Sequence, residues 1–349
     1  MNIFITGATG FIGRQLSLKL AEQGHIIHAL SRRSNHPLLP VHQNIRVFLG
    51  DISNKDSLIT AMKGCEQAYH TAALARMWTK DRNEFHEVNV TGTRNVLEAA
   101  KEAGVDRIVH TSSCGVIGPT IKYPMTEEDP RITGFPIHYE RTKYLAELEV
   151  QEFVRKGMDV VIVCPSRVYG KGPITDSNTV GKIVTAYLKG KWRVNPDNGK
   201  QVSNYAYLDD VVHGHIVAME RGKAGHRYIL GGEDVSFNAF FDTVKQISGV
   251  SYRLINVPQP AIKWYSWIEW LKTSVTGYPP FFLPEFADRL KYDQKYSSQK
   301  AIDHLGYRIT PFAEGMRQMI HYYLNDFQSD HQNNTIHHSR TAADSATLS

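Results

Sequence analysis

Two side chains that could share a proton stand in "HYERTK" (138–143). Tyr139 and Lys143 are four residues apart, which on a helix puts them on one face, one turn from each other. A phenol beside an ammonium is a candidate acid/base pair, and equally a tyrosine and a lysine on a wet surface. The spacing recurs at Tyr187/Lys191 and Tyr296/Lys300, so alone it decides nothing. Context separates the first pair. The apolar run "RIVHT" (107–111) ends in Ser112 and Ser113, and Tyr139 then opens the helical pattern "YERTKYLAELEVQEFVRK"; neither other tyrosine follows such a run.

The elements that must position these groups alternate. Short apolar runs at 3–5, 26–30, 45–49, 67–71, 107–111 and 160–164 are separated by helical patterns such as "VTGTRNVLEAAKEAG" (90–104). Strands alternating with helices predict a parallel sheet covered on both faces. In such a sheet, ligands bind beyond the carboxyl ends of the strands. The residues there are Gly7 to Thr9, Ser31 to Arg33, Asp51, Ala72 with Ala73, Ser112 with Ser113, and Pro165 with Ser166. They form a rim suited to a dinucleotide.

"TGATGFIG" sets Gly7, Gly10 and Gly13 between the first strand and the first helix, with Thr9, Phe11 and Ile12 in the same turn. Glycines so placed allow a tight turn, close backbone approach to a pyrophosphate, and a phosphate held at the helix N-terminus. The second strand ends in "ALSRRSN", with no carboxylate to take ribose hydroxyls and with Arg32 and Arg33 to grip a 2′-phosphate. NADP is therefore expected over NAD, the other reading being two solvated arginines. Asp51, with Ile52 behind it, either meets the adenine edge or caps the next helix.

After residue 170 the pattern loosens. Helices are expected at 178–190, 236–248, 258–274, 297–305 and 311–326, a strand entering a helix at 205–222, and a strand at 227–232. The predicted architecture is α/β: a doubly wound, Rossmann-type parallel sheet at 1–170 and a smaller C-terminal α/β substrate lobe at 171–327, packed as one body. The chain is free to re-enter the sheet. Residues 328–349, polar and aperiodic, read as a disordered tail.

Composition narrows the classes. Forty basic against 35 acidic residues are scattered without a Lys/Arg run, which argues against nucleic acid. Cys65, Cys114 and Cys164 have neither metal nor redox spacing, and no metal is expected. A chain starting in the strand-like "NIFITG", with no run of about 18 apolar residues, is expected to be cytoplasmic, without signal peptide or membrane span.

"TGATGFIG", "GDIS", "HTAA" (70–73), "VNVTGT" (88–93), "HTSSCG" (110–115), "YERTK" (139–143) and "PSRVYG" (165–170) together resemble the extended short-chain dehydrogenase/reductases. Within them the chain is similar to the dihydroflavonol-reductase and 3β-hydroxysteroid-dehydrogenase branch, over about residues 1 to 325. The resemblance implies Tyr139 as acid/base, Lys143 as its partner and Ser113, rather than Ser112, as the hydroxyl that holds the substrate oxygen. It also implies Asn89 below the site, the Ala72–Ala73 backbone beside the cofactor, and Val168 after Pro165 at the carboxamide. Homodimerisation through 82–103 and 138–156 is the family habit.

The chemistry agrees with those roles. Ketone reduction needs a hydride from the nicotinamide and a proton from the protein. A phenol of pKa about 10 would have to fall by roughly three units to exchange protons near neutrality. One ammonium about 4 Å away supplies that, so Lys143 is expected to hold Tyr139 down. Cys114 and Gly115 stand where a dehydratase of the family carries acids, against dehydration. The expected function is ketone/alcohol interconversion on a fairly apolar small molecule. A sugar-nucleotide epimerase is the alternative, disfavoured by Arg32, and a non-catalytic NADP-binding regulator comes third. Asn178 either touches substrate or caps a helix. Trp264, Trp267 and Leu271, in the aromatic segment 260–286, form one helical stripe. It serves as packing, as a lid with Trp267 on the substrate, or as a peripheral membrane contact.

Overall fold

The computed structural model describes residues 1–325 apart from 77, 281 and 282, so the expected tail from 328 lies outside the described residues. In chain order its strands are β1 (Asn2–Thr6), β2 (Ile26–Ser31), β3 (Ile45–Leu49), β4 (Gln67–His70), β5 (Arg107–Thr111), β6 (Asp159–Pro165), β7 (Arg167–Tyr169), β8 (Val194–Pro196), β9 (Val202–Tyr207), β10 (Arg227–Leu230), β11 (Glu233–Ser236) and β12 (Ile255–Val257). The helices are α1 (Phe11–Glu22), α2 (Lys55–Met62), α3 (Asn83–His86), α4 (Gly92–Ala103), α5 (Cys114–Ile117), α6 (His138–Arg155), α7 (Thr179–Leu188), α8 (Leu208–Arg221), α9 (Phe237–Ser248), α10 (Gln259–Thr276), α11 (Pro284–Arg289), α12 (Gln299–Leu305) and α13 (312–325).

Seven strands pair in the order β10-β6-β5-β4-β1-β2-β3, every pair parallel. The alternation of side chains sorts the core into two layers. Ile3, Ile5, Val161 and Val163 point to one face with Leu16, Leu20 and Ile216 of α1 and α8. Phe4, Val160 and Ile162 point to the other, against Leu58, Val96 and Val150 of α2, α4 and α6. Strands buried on both faces must be continuously apolar, which is why these runs are so plain in the sequence.

The order reverses between β1 and β4. Connections leave β1 and β4 in opposite directions there, opening the crevice in which an α/β sheet binds its ligand. The second lobe holds the small sheet β11-β9-β7 and the pair β12-β8. Its core gathers Tyr169, Val184, Phe237, Phe240, Phe312 and Met316. The chain does re-enter the main sheet: β10 lies beside β6, and α8 covers the same face as α1. Asp210 fixes the return, accepting bonds from the Thr310 amide (2.7 Å) and hydroxyl (2.8 Å). Among the described residues no helix is long and apolar enough to cross a membrane.

Candidate active site

The loop after β1 is built by its glycines. Gly7 has φ +74°, and a Cβ there would come 2.7 Å from the Ala72 amide nitrogen. A Cβ on Gly13 would lie 2.3 Å from the Gly7 carbonyl oxygen. The Gly10 amide donates to that carbonyl (2.8 Å) and Gly10 begins α1 with no side-chain cap. No acid stands in the first turn, so the leading N–H groups at Phe11 and Ile12 face whatever lies above the loop. Across the crevice, the Thr71 hydroxyl donates to the Thr6 carbonyl (2.7 Å) and the Ala72 amide to the Thr6 hydroxyl (3.2 Å). These bonds latch the Ala72–Ala73 strand end onto the glycine turn. A cradle that any side chain would fill, at an uncapped helix start, fits a dinucleotide pyrophosphate.

Beyond β2, Ser31 closes a short turn on Arg33, donating to its carbonyl (2.8 Å), and both arginines project outward. Arg32 lies 4.0 Å from the Asp51 carboxylate. Asp51 accepts from the Ser53 amide (2.8 Å), and Asn54 is the residue that caps α2, through the Ser57 amide at 3.0 Å. The capping alternative for Asp51 is thereby corrected, because the cap belongs to the residue immediately before the first turn. Ile52 is buried against Gly92, where a Cβ would stand 2.7 Å from its side chain.

Ser113 follows β5 by two residues and caps α5, accepting from the Gly115 amide (3.1 Å), and its hydroxyl is among the groups that hold the Tyr139 phenol down. Tyr139 is half-buried in the first turn of α6. Burial pushes its hydroxyl up to about 12; the Ser113 hydroxyl and the Arg289 guanidinium work against the rise, and Glu140 adds to it. Lys143 is 1% exposed and donates to the Thr111 carbonyl at 2.6 Å. Burial lowers it to about 8, while Glu147 holds it up. This corrects the electrostatic expectation. The ammonium is committed to a carbonyl, and desolvation of the phenol outweighs every charge near it, so at neutral pH Tyr139 is a protonated acid.

Other residues complete the site. Glu147 continues the face of Tyr139 and Lys143 by one more turn of α6. It is buried, accepts from the Ser112 hydroxyl, and lies 3.8 Å from Arg227. Ser112 is thus committed to Glu147. Glu140 is gripped by Arg131 and Arg289, each at 2.8 Å, which ties the loop before α6 and α11 to the first turn. Asn89 sits in a π-helical turn (Glu87–Thr91) between α3 and α4; it accepts from the Leu74 amide (2.8 Å) and donates to Thr142 (3.0 Å). The Glu147 spacing was visible in the sequence. Nothing there pointed to Arg289.

Two substrate candidates are placed elsewhere. Asn178 is fully buried: its oxygen caps α7 through the Gly181 amide (2.9 Å), and its amide donates to the Pro173 carbonyl and the Tyr323 hydroxyl. Every polar atom is used inside the fold, so the substrate reading is corrected to the cap reading. Trp267 is 51% exposed and packs edge-on against Trp270 at 5.6 Å. Its stripe is exposed to solvent, which corrects the packing reading. Pro165 ends β6, and Val168 lies half-buried in β7. A groove beside the start of α6 is lined by Trp78, Arg82, Phe85, His138, Leu283 and Phe286, among others.

The pattern of the NAD dependent epimerase/dehydratase family matches residues 3–231. A Synechocystis sp. protein bearing the name dihydroflavonol 4-reductase is 31% identical, over 92% of this chain and 94% of its own. The 3 beta-hydroxysteroid dehydrogenase/Delta 5→4-isomerase of Mycobacterium tuberculosis is 29% identical over 98% and 95%. The crystal structure of gox2253 superposes with a TM-score of 0.79 at 31% identity, covering 93% of this chain and 98% of that one.

Proposed function

The chain belongs to the NAD dependent epimerase/dehydratase family, in its extended short-chain dehydrogenase/reductase branch, and is an NAD(P)-dependent oxidoreductase; from that premise we propose that it interconverts a ketone and a secondary alcohol on a fairly apolar small molecule, with NADP(H). The observation that carries this reading is the gathering of Ser113, just past β5, with Tyr139 and Lys143 on the first two turns of α6, Lys143 reaching back to the Thr111 carbonyl at the end of β5.

The nicotinamide, when bound, supplies or takes the hydride. Ser113 orients the carbonyl oxygen by a neutral hydrogen bond, and Tyr139 donates the proton to it. The high Tyr139 value suits that direction, since an acid must be protonated at working pH to give its proton. The positive charge of an oxidised nicotinamide would pull the phenol down, favouring the reverse transfer. Lys143, neutral or charged near pH 8, keeps a donor at the floor of the site.

Gly7, Thr9, Gly10, Phe11, Ile12 and Gly13 would hold the pyrophosphate, with Ala72, Ala73, Pro165 and Val168 along the nicotinamide half. Arg32 and Arg33 would take the 2′-phosphate, and Asp51 with Ile52 the adenine side. NADP is supported by two exposed arginines at the end of β2, a strand end that carries no carboxylate of its own; Arg32 meets the Asp51 carboxylate at 4.0 Å, and Arg33 is in no such ion pair among the described residues. An apolar substrate is supported by Trp78, Phe85, Leu283 and Phe286 in the lining of the groove, which Arg82, His138 and Glu285 share, and by the reductase and steroid-dehydrogenase names of the two relatives. We propose residues 1–170 as the cofactor-binding part and 171–327 as the substrate lobe, with α8 and β10 returning to the main sheet and β7 joining the lobe's small sheet, and 82–103 with 138–156 as the homodimer face.

The test is oxidation of NADPH and of NADH on a panel of aryl, steroid-like and long-chain ketones. Turnover with NADPH preferred supports the reading. No turnover on any ketone, but conversion of a sugar nucleotide without net redox change, would replace it by an epimerase.

A further inference from the structure

Helix α10 is amphipathic in the sense opposite to a helix packed on a core. Its buried side chains are Ile262, Ser266, Glu269 and Thr273, three of them polar. Its large apolar side chains face solvent: Trp264 at 69% exposed, Trp267 at 51%, Leu271 at 61% and Val275 at 80%, with Ile268 beside them. At about 100° per residue, these five fan over an arc of about 100°. Lys263 and Lys272 fall about 40° beyond its two edges, with Trp270 and Tyr265 just outside the lysines. Glu269, the helix's one carboxylate, sits opposite the arc and 8% exposed, within reach of Tyr265 (3.3 Å) and Lys272 (3.7 Å). Tyr278, also exposed, extends the apolar surface past the helix.

We infer that α10 lies flat on a phospholipid bilayer surface, its Trp264–Leu271–Val275 face among the upper acyl chains and its lysines at anionic headgroups. The residue types select this partner. Trp and Tyr join an apolar body to a polar tip, which suits the boundary between acyl chains and headgroups. Lysines flanking an apolar arc can bury their stems and keep the ammonium in the headgroup layer. The charge is complementary as well. Lys263 and Lys291 share one acid, Asp288 (2.9 and 2.8 Å), which leaves a positive excess at the rim, and the helix shows no carboxylate outward. A second copy of the chain docked on this face would instead bring lysines against lysines with no exposed acid on α10 between them.

Flotation with vesicles of phosphatidylcholine and phosphatidylglycerol tests this on the full chain, independently of any activity. The native protein should float, with its tryptophan emission shifted to the blue, and bind neutral phosphatidylcholine vesicles more weakly by a few-fold or more. Trp264→Ser/Leu271→Ser/Val275→Ser should weaken vesicle binding by at least roughly tenfold, with an unchanged melting transition because all three side chains are exposed. Three results would overturn the inference. The native protein could stay with the soluble fraction. The triple variant could float equally well. The native protein could be a dimer in solution that the triple variant turns into a monomer, making the face a contact between copies.

Discussion

Replacing Lys143 by Met should stabilise the folded chain at neutral pH while removing the donor under the site. The magnitude follows from the ammonium's position. Burial lowers Lys143 from 10.5 to about 8. At pH 7 the lysine is charged in both folded and unfolded chains, and the drop of about 2.5 pH units, at about 1.36 kcal/mol each, costs the fold about 3 kcal/mol. Methionine removes that cost but leaves the Thr111 carbonyl without its donor, a loss of about 1 kcal/mol. The net expectation is about 2 kcal/mol of added stability. The sign with pH is equally defined. Between the folded value near 8 and the unfolded value of 10.5, the unfolded chain holds more protons, so stability of the native protein rises with pH over this window. Above about 9, buried Cys65, Cys114 and Cys164 act in the opposite direction, but they are common to both proteins and cancel in the difference. Urea unfolding of both proteins at pH 7, 8, 9 and 10 should therefore show the variant's advantage shrinking and vanishing by about pH 10. A variant that is less stable than native at pH 7, or a difference independent of pH, would refute the claim that Lys143 is a buried ammonium held at a cost.

Three further outcomes are expected. Arg32→Ser should raise the KM for NADPH roughly tenfold or more and leave that for NADH within about twofold, since only the former loses a charge-assisted phosphate contact; initial rates with each cofactor check it. Glu147→Gln removes the carboxylate that holds Lys143 up, so the limb of the pH–rate profile that reports Lys143 should move to lower pH; an unmoved limb beside an altered melting temperature would reduce Glu147 to a structural group. Asn178→Ala should cost about 2–3 kcal/mol in chemical unfolding, from the lost cap and the stranded Tyr323 hydroxyl, while the KM for ketone stays unchanged.

The sheet was legible because its strands are buried on both faces. Runs such as "VVIVC" have no polar interruption, and the residues following them, from Gly7 to Ser113, fall at the crevice the strand order opens. Tyr139, Lys143 and Ser113 could be read for the same reason: each is tied to a strand end or a helix start by local sequence. Three features were not readable so. The strands β8 and β12 are three residues each, too short for a period to show. The Arg289–Glu140 pair joins segments far apart in the chain, and no local pattern records it. The state of Tyr139 turns on desolvation, which spacing does not measure; a lysine one turn away predicts a lowered phenol, and burial reverses it. α10 is the instructive case. Its 3.6-residue period gave the stripe correctly, but the same period describes a helix packed inward and one facing outward. Only the burial of Ser266, Glu269 and Thr273 settles which face is in.

The central claim is that the Tyr139 hydroxyl delivers the proton to the substrate oxygen. Tyr139→Phe keeps the ring and removes that hydroxyl. With the ketone the native protein reduces fastest, kcat should fall by at least about 10²-fold while the Kd for NADPH, read by fluorescence titration, stays within about twofold. A variant that keeps kcat within about threefold of native would contradict the claim and move the proton to another group.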